Sequence, residues 1–307
     1  EMGASIESSN GKLPISILPA SLQKQYTYEL PVASAQVKSS ILLAALASGT
    51  SVEIIEPIQT RDHTERMIKN FGGNLEIAFE GSKNIIQLAP SNQLTAKNYT
   101  VVGDISSAAF LIVAALISNS SDLEITNVGM NPSRTGVLLA LQKMGADIEI
   151  RNQRLESGEP CADLKIKKSI LRGVELSGDI IPNIIDEIPI ISIAAAFAEG
   201  ETIIRDAAEL RIKESDRLKA ISDGFTRLGV AHKNFKDGMS IMGSSNPLLI
   251  DEPISIESHE DHRIAMSFLI AGLKCSKPII VKDCKNIFTS FPNFIELISS
   301  IGYKLEK

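Results

Sequence analysis

Five helix endings in this sequence share one pattern and recur at nearly regular intervals. Each places a glycine before a strand-like run, as in NFGGNLEI (70–77) and KMGADIEI (143–150). The glycines lie roughly 70 to 85 residues apart, at Gly3, Gly72, Gly145, Gly229 and Gly302. Glycine directly after an apolar helix face is a common end of an α-helix. The recurrence predicts a chain built from copies of one structural unit.

A second, more apolar helix lies between successive endings. The four such helices are seen in SAQVKSSILLAALASGTSVEI, DISSAAFLIVAALISNSSDLEI, DEIPIISIAAAFAEGETII and DHRIAMSFLIAGLKCSKPIIV. Helices that are apolar on nearly every side belong inside a domain, beneath sheet and outer helices. Each unit is therefore interpreted as strand, buried helix, strand, exposed helix and a pair of strands. The sequence contains four full units, preceded by the end of a fifth.

Composition excludes several classes of function. The net charge of −6 over 307 residues argues against a general nucleic-acid-binding protein. We find no apolar run near the ~20 residues of a membrane span and no signal peptide. Cys161, Cys275 and Cys284 form no Cys-x-x-Cys pair and suggest a reducing compartment. We therefore expect a cytoplasmic protein without nucleic-acid or membrane partners.

The inner helices open with a residue that can accept hydrogen bonds from backbone amides. These residues are Ser34, Asp104, Asp186 and Asp261. Ser and Asp are favoured N-caps, and capping alone explains residues of this type. Helix starts gathered by pseudo-symmetry also direct free amides toward one place, which suits phosphates and carboxylates. Both interpretations stay open, with capping favoured for Asp104.

The segment RIKESDR (211–217) concentrates charge at the start of an amphipathic helix. Three cations near a positive helix terminus are unfavourable unless an anion joins them. We expect Lys213 and Arg217, four residues apart, to share a helix face and to bind a multiply charged anion. Glu214 beside them could exchange a proton with that anion. The alternative is a solvated lattice of salt bridges.

Two further segments carry candidate chemistry. In IIDEIPII, Asp186 and Glu187 stand among apolar residues, a setting that favours a neutral carboxyl group and suits general-base work. In EDHRIAMSF, Arg263 repeats the theme of a cation before an apolar helix. We interpret His262, and His63 in TRDHTER, as capping or packing residues, because no second ligand stands at metal-site spacing. No metal site is expected.

Seven segments together resemble the 5-enolpyruvylshikimate-3-phosphate synthase family, in the form typical of its bacterial class II subgroup. They are SAQVKSSILLAAL, GDISSAAF, NPSRTG, DEIPIISIAAAFAEG, RIKESDRL, DHRIAMSF and TSFPNF. The resemblance implies an α+β fold, a two-domain inside-out α/β barrel of repeated βαβαββ units with the first units missing. It implies that residues 1–101 are a partial first-half domain, the remnant of three units. Residues 102–307 would form a second, nearly complete three-unit domain.

The family transfers the enolpyruvyl group of phosphoenolpyruvate to the 5-hydroxyl of shikimate 3-phosphate and releases phosphate, without a cofactor. By resemblance, Asp186 contacts the substrate and takes the hydroxyl proton, and Glu214 protonates the methylene carbon. The implied ligands of shikimate 3-phosphate are Ser34, Ala35, Gln36, Arg61 and Lys213. Arg217 and Arg263 would bind phosphoenolpyruvate, with Gln36 near it. The family precedent is a monomer.

The resemblance also has departures. Glu209 stands where some relatives have an amide, and no lysine lies two places before Phe-Pro in TSFPNF. The family's substrate lysine, glycine-rich loop and a further arginine would precede Glu1, so we expect this chain alone to be inactive. The alternatives are a non-catalytic fragment of the enzyme and a UDP-N-acetylglucosamine enolpyruvyl transferase, which shares the architecture.

Overall fold

A computed structural model describes residues 2–81, 83–90, 94–119 and 122–305. Glu1 and Glu306, at the outer ends of the first and last repeat segments, lie outside the described residues. The chain divides into two compact units. Unit 1 comprises Glu1–Val101 with Leu155–Glu159, and unit 2 comprises Val102–Arg154 with Pro160–Lys307.

Unit 1 holds a hairpin followed by one complete repeat. The hairpin strands are β1 (Ser5–Ser9) and β2 (Lys12–Leu18). The repeat consists of β3 (Gln25–Glu29), α1 (Ala35–Ser48), β4 (Ser51–Glu56), α2 (His63–Asn70), β5 (Leu75–Glu80) and β6 (Lys83–Leu88). Its sheet has the order β3–β4–β6–β5, with β3 parallel to β4 and β6 antiparallel to both of its neighbours.

Unit 2 holds three further repeats. The first contains α3 (Ile105–Ile117), β7 (Asp122–Gly129), α4 (Gly136–Lys143), β8 (Asp147–Glu156) and β9 (Glu159–Lys167). The second contains β10 (Glu175–Leu176), α5 (Ile181–Ile184), α6 (Ile188–Ala196), β11 (Gly200–Ile204), α7 (Arg217–Leu228), β12 (Ala231–Phe235) and β13 (Gly238–Gly243). The third contains β14 (Ile254–Glu257), α8 (His262–Gly272), β15 (Ile279–Lys282), α9 (Ile287–Ser290) and α10 (Phe294–Ser300). Among the described residues no pair of strands follows α10, so the prediction of four full units is wrong for this last one.

Strand order is shared among the repeats. The order β10–β11–β13–β12 reproduces that of the unit 1 sheet, again with a parallel first pair. In the β7–β9–β8 sheet, a parallel bridge from Gly103 to Val128 stands where the first strand would pair. The parallel pairs are joined through α1, α6 and α8, since parallel strands need a crossover connection. The predicted βαβαββ unit is therefore present in the structure.

Four of the five repeated glycines follow a helix, as predicted. All five have φ between +70° and +104°, a region that residues with a Cβ rarely occupy. At the end of α7, Gly229 donates its N–H to the carbonyl groups of Phe225 and Thr226. The helix-terminating role is confirmed for Gly72, Gly145, Gly229 and Gly302, whereas no described helix precedes Gly3.

The inner helices differ in how deeply they are buried. Every residue of α3 except Ser107, and every residue of α6, is buried in the large core of unit 2, where α3, α6 and α8 pack on one another. In contrast, α1 buries only Lys38, Leu42 and Ala45, while Leu43 is 56% exposed. The prediction of a fully buried helix is wrong for α1, because it covers its sheet with a single stripe.

None of the described helices is long and apolar enough to cross a membrane.

Candidate active site

In the charged segment 211–217, some side chains stabilise the start of α7 and others contact residues outside the segment. Asp216 caps α7 by accepting the Lys219 amide at 2.9 Å, and it also accepts Arg211 Nη1 at 3.0 Å. Arg211 donates further to the carbonyl groups of Phe235 and Lys236. Arg211 and Asp216 therefore fix the entry of the helix, which leaves Lys213, Glu214 and Arg217 for other partners.

The prediction that Lys213 and Arg217 share a helix face is wrong. The cap at Asp216 starts α7 at Arg217, and Lys213 has extended backbone just after a short 3₁₀ turn, Ala208–Ile212. Lys213 pairs with Glu209 and lies 3.6 Å from Asp186 Oδ1. The two cations still converge, because Arg217 Nη1 is 3.3 Å from the same oxygen.

Arg217 lies at the centre of a buried group that we call the Arg217 cluster: Arg217, Asp186, Glu214 and Asp261. The Arg217 side chain is 1% exposed. Its Nε donates to Asp261 Oδ2 at 2.8 Å, Nη1 to Asp186 Oδ1 at 3.3 Å and Nη2 to Glu214 Oε2 at 2.6 Å. All three guanidinium nitrogens are therefore engaged by carboxylates.

Asp261 is the innermost carboxylate of this cluster. It caps α8 by accepting the amides of Arg263 and Ile264, and it also accepts the Ser215 hydroxyl. Burial alone would raise the pKa of Asp261, but the hydrogen bond and charge of Arg217, with these further donors, hold it below its usual value. Asp261 is thus a charged residue that ties the start of α7 to the start of α8.

Asp186 does not cap its helix, so that interpretation of the residue is wrong. The helix α6 begins at Ile188, with Glu187 in the capping position. The Asp186 carboxylate faces Lys213 and Arg217 instead of the apolar surroundings that the sequence suggested. Its main-chain oxygen accepts Arg263 Nη1 at 2.9 Å. Asp186 therefore touches three cations through two different groups.

Arg263 differs from Arg217 in what its nitrogens contact. Its Nη1 donates to the Asp186 carbonyl and, at 3.2 Å, to Glu187 Oε1. Within the described chain, Nε and Nη2 of Arg263 donate no hydrogen bond, and the side chain is 16% exposed. This open edge of the guanidinium has the planar geometry that a carboxylate or phosphate accepts in two parallel bonds.

The candidate ligands in unit 1 lie at the start of α1. Ser34 caps this helix by accepting the Val37 amide at 3.4 Å. The amides of Ala35 and Gln36 have no partner among the described residues, and the Gln36 side chain is exposed. A helix start with open amides is a favourable place for an anion.

Beneath this helix start lies a buried group that the sequence analysis missed, the Lys38 cluster: Lys38, Glu56, Glu65, Thr60 and Asn84. Lys38 Nζ is 3.0 Å from Glu56 Oε1 and 2.6 Å from Glu65 Oε1, and all three side chains are at most 1% exposed. Thr60 and Asn84 donate to Glu56. The detectable signal was a lysine on the apolar stripe of α1, in line with Leu42 and Ala45.

Arg61 and His63 flank the start of α2 in the same unit. Arg61 is half-buried in the loop between β4 and α2, next to Thr60 of the Lys38 cluster. His63 Nδ1 lies 2.8 Å from Glu159 Oε1. His63 follows the N-cap Asp62 and its side chain is 42% exposed, so it pairs with a carboxylate instead of capping or packing as predicted.

No group of three or more His, Cys, Asp or Glu side chains in the described ranges is arranged to hold a metal ion. His262 is the first residue of α8, and burial, aided by the charge of Arg263, lowers its pKa. It therefore favours the neutral form.

The repeated βαβαββ units define a fold that known enolpyruvyl transferases share. The enolpyruvyl transferase NikO from Streptomyces tendae superposes with a TM-score of 0.75 at 17% identity, covering 99% of this chain and 69% of that one, which shows the shared fold. The predicted α+β fold class is confirmed. The chain belongs to the EPSP synthase (3-phosphoshikimate 1-carboxyvinyltransferase) family, which it matches over residues 1–298.

Individual relatives agree with this family. The chain is 47% identical to the 3-phosphoshikimate 1-carboxyvinyltransferase of Vesicomyosocius okutanii and 45% identical to that of Hydrogenovibrio crunogenus. It is covered over 99% and 98% of its length, and it spans 68% of each relative. The EPSP synthase of Acinetobacter baumannii superposes with a TM-score of 0.89 at 44% identity, covering 99% of this chain and 69% of that one.

Proposed function

We propose that this protein transfers the enolpyruvyl group of phosphoenolpyruvate to the 5-hydroxyl of shikimate 3-phosphate and releases phosphate, with the chemistry assigned to the Arg217 cluster and Arg263. As a member of the EPSP synthase family, the protein is an enolpyruvyl transferase that uses these two substrates. The roles of single residues rest on one observation above all. Asp186 lies between Lys213, Arg217 and Arg263, the three cations of the proposed site.

Asp186 is the proposed base. The reaction needs a group that accepts the proton of the 5-hydroxyl as its oxygen attacks C2 of phosphoenolpyruvate. The Asp186 carboxylate lies 3.6 Å from Lys213 Nζ and 3.3 Å from Arg217 Nη1, so it stands beside the proposed ligands of both substrates, where such a group is needed. Lys213, next to it, is the proposed ligand of shikimate 3-phosphate.

Glu214 is the proposed acid. Its side chain is 54% exposed, whereas Asp261, which also accepts from Arg217, is fully buried. A proton from Glu214 to the methylene carbon would complete addition and give a tetrahedral ketal phosphate. Loss of a methyl proton and of phosphate then forms the product. The family resemblance assigns Arg217 to phosphoenolpyruvate as well, and its Nη2 donates to Glu214 and, at 3.4 Å, to Asp261 Oδ1.

Arg263 is a proposed ligand of phosphoenolpyruvate. Its Nε and Nη2 donate no hydrogen bond within the described residues and are available to the substrate. Its Nε and Nη2 edge fits a carboxylate or phosphate of phosphoenolpyruvate in two bonds. Ser34, Ala35, Gln36 and Arg61 are proposed ligands of shikimate 3-phosphate, a role supported by the family resemblance and by the open amides of α1.

Calorimetry and a phosphate-release assay test the proposed substrates. The native enzyme should bind shikimate 3-phosphate and should release phosphate only when phosphoenolpyruvate is also present. UDP-N-acetylglucosamine should neither bind nor replace shikimate 3-phosphate in the assay. Turnover with the nucleotide sugar in place of shikimate 3-phosphate would overturn the assignment.

The setting of the enzyme is also a proposal. Cys161, Cys275 and Cys284 are free thiols, which supports a reducing compartment such as the cytoplasm. The family precedent supports a monomer, and sedimentation analysis measures this directly.

A further inference from the structure

Glu187 is a buried carboxylate to which the proposed chemistry assigns no role. It occupies the capping position of α6, yet its side chain makes no capping hydrogen bond. Only 3% of that side chain is exposed. A buried carboxylate is costly unless it is paired, so its partners indicate what it does.

Both partners of Glu187 lie at the starts of neighbouring inner helices. Its Oε1 accepts the Ser106 hydroxyl from α3 and, at 3.2 Å, Nη1 of Arg263 from α8. Ser106 in turn accepts a hydrogen bond from Arg134, which also donates to Asp104 Oδ1 at 2.9 Å. A continuous polar chain therefore runs from Arg134 to the guanidinium of Arg263.

The geometry at Arg263 shows what this chain achieves. Glu187 Oε1 and the Asp186 carbonyl both hold Nη1, which fixes one corner of the planar guanidinium. The opposite edge, Nε and Nη2, stays open among the described residues. A guanidinium fixed at one corner keeps its open edge in one direction, which reduces the entropy lost when an anion binds.

We infer that Glu187 is a positioning residue, which orients Arg263 so that its open edge receives phosphoenolpyruvate. This inference rests on the proposed function of Arg263 as a ligand of phosphoenolpyruvate. Glu187 acts through Arg263 and touches no substrate. Its removal should therefore weaken binding of phosphoenolpyruvate while the chemical step and binding of shikimate 3-phosphate are retained.

The test is a double-substitution cycle on Glu187 and Arg263 in the native enzyme. Glu187→Gln keeps the size of the side chain and one acceptor oxygen but removes the charge. We expect it to raise KM for phosphoenolpyruvate about tenfold, because charge-assisted hydrogen bonds are roughly twice as strong as neutral ones. We expect kcat and KM for shikimate 3-phosphate to change less than about twofold. In an Arg263→Gln background, Glu187→Gln should add no further change.

Asp163→Asn is the matched control. Asp163 is a carboxylate of unit 2 that accepts Arg154 and Asn152 and contacts none of the proposed site residues. Its substitution should lower the melting temperature without changing KM for phosphoenolpyruvate. If Glu187→Gln does not fold, Ser106→Ala provides the same test by removing the hydroxyl that holds Glu187, with a smaller rise in the same KM.

The experiments distinguish a failure of the proposed role of Arg263 from a failure of the inferred role of Glu187. If Arg263→Gln leaves KM for phosphoenolpyruvate unchanged, the proposed role of Arg263 is wrong. If Arg263→Gln raises that KM while Glu187→Gln and Ser106→Ala do not, the role of Glu187 is wrong and that of Arg263 stands. Additive effects of the two substitutions would also overturn the positioning role.

Discussion

Arg217 and Arg263 carry the same side chain and the sequence gives them the same role, yet their surroundings differ. Arg217 is 1% exposed and gives all three nitrogens to carboxylates, whereas Arg263 uses only Nη1 among the described residues. A guanidinium with every donor engaged holds its carboxylates in place. One with an open edge is ready for an added anion. Asp186 joins the two, through its carboxylate on one side and its carbonyl on the other.

Removal of Arg217 should give the largest effect on stability. Arg217→Met leaves Asp261 buried without its cation, and breaking a buried pair in this way costs about 3–5 kcal/mol of unfolding free energy. Chemical denaturation measures the loss. Arg205→Met is the control, because Arg205 is 40% exposed beside Asp237 and should cost less than about 1 kcal/mol. Equal losses of unfolding free energy in the two variants would show that Arg217 is not needed to balance the charge of the buried Asp261 carboxylate.

Glu214 separates proton transfer from binding within the Arg217 cluster. Glu214→Gln resembles the protonated acid but cannot donate its proton to carbon, so kcat should fall by about 10²-fold or more. KM for phosphoenolpyruvate should change little, because the amide oxygen of the variant can still accept from Arg217 Nη2. Steady-state phosphate release at varied phosphoenolpyruvate gives both constants. A variant with normal kcat would remove Glu214 from the proton transfer.

Arg263→Lys tests the open edge. Lysine keeps the charge but has no planar fork, so we expect KM for phosphoenolpyruvate to rise about tenfold or more. The melting temperature should change little, in contrast to Arg217→Met. If binding of phosphoenolpyruvate is unaffected by the substitution, the comparison between the two arginines has no functional meaning.

In the Lys38 cluster, as in the Arg217 cluster, a buried cation is fully paired with carboxylates. We expect its contribution to the stability of unit 1 to depend on pH. Burial raises the pKa of Glu65 above 4.5, against the opposing hydrogen bond and charge of Lys38. Its contribution to stability is therefore present at acidic pH and is lost as pH rises through the raised pKa. Amide-exchange protection of α1 and β4 should fall over that range. Glu65→Gln should abolish this dependence, whereas Glu29→Gln, at a 62% exposed position, should not.

Much of the fold is encoded in local chemistry and could be predicted. Glycines at helix ends, the apolar stripe of α7 and the strand pairs follow from short-range preferences that the structure keeps. The partial burial of α1 could not be predicted, because its exposed Leu43 is as apolar as the buried residues of α3. Whether such a residue is covered depends on distant parts of the chain.

The site shows the same division between residue type and geometry. Asp186, Lys213, Glu214 and Arg217 lie together in the structure, a grouping that only the family resemblance had implied by assigning them to one site. The sequence analysis wrongly placed Lys213 in the helix. The N-cap at Asp216 makes α7 begin at Arg217, so Lys213 lies before the helix in extended backbone. The role of Glu187 depends on contacts with α3 and α8 that no local pattern contains.

The most direct test of the account is the Asp186→Asn variant of the native enzyme. An amide of the same shape can still accept from Arg217 but cannot take the 5-hydroxyl proton. We predict that kcat falls by about 10²-fold or more and that binding of shikimate 3-phosphate, measured by calorimetry, is largely retained. Asp163→Asn should keep normal kcat. Near-normal turnover by Asp186→Asn would contradict the proposal that this carboxylate, which faces Lys213 and Arg217, is the base of the reaction.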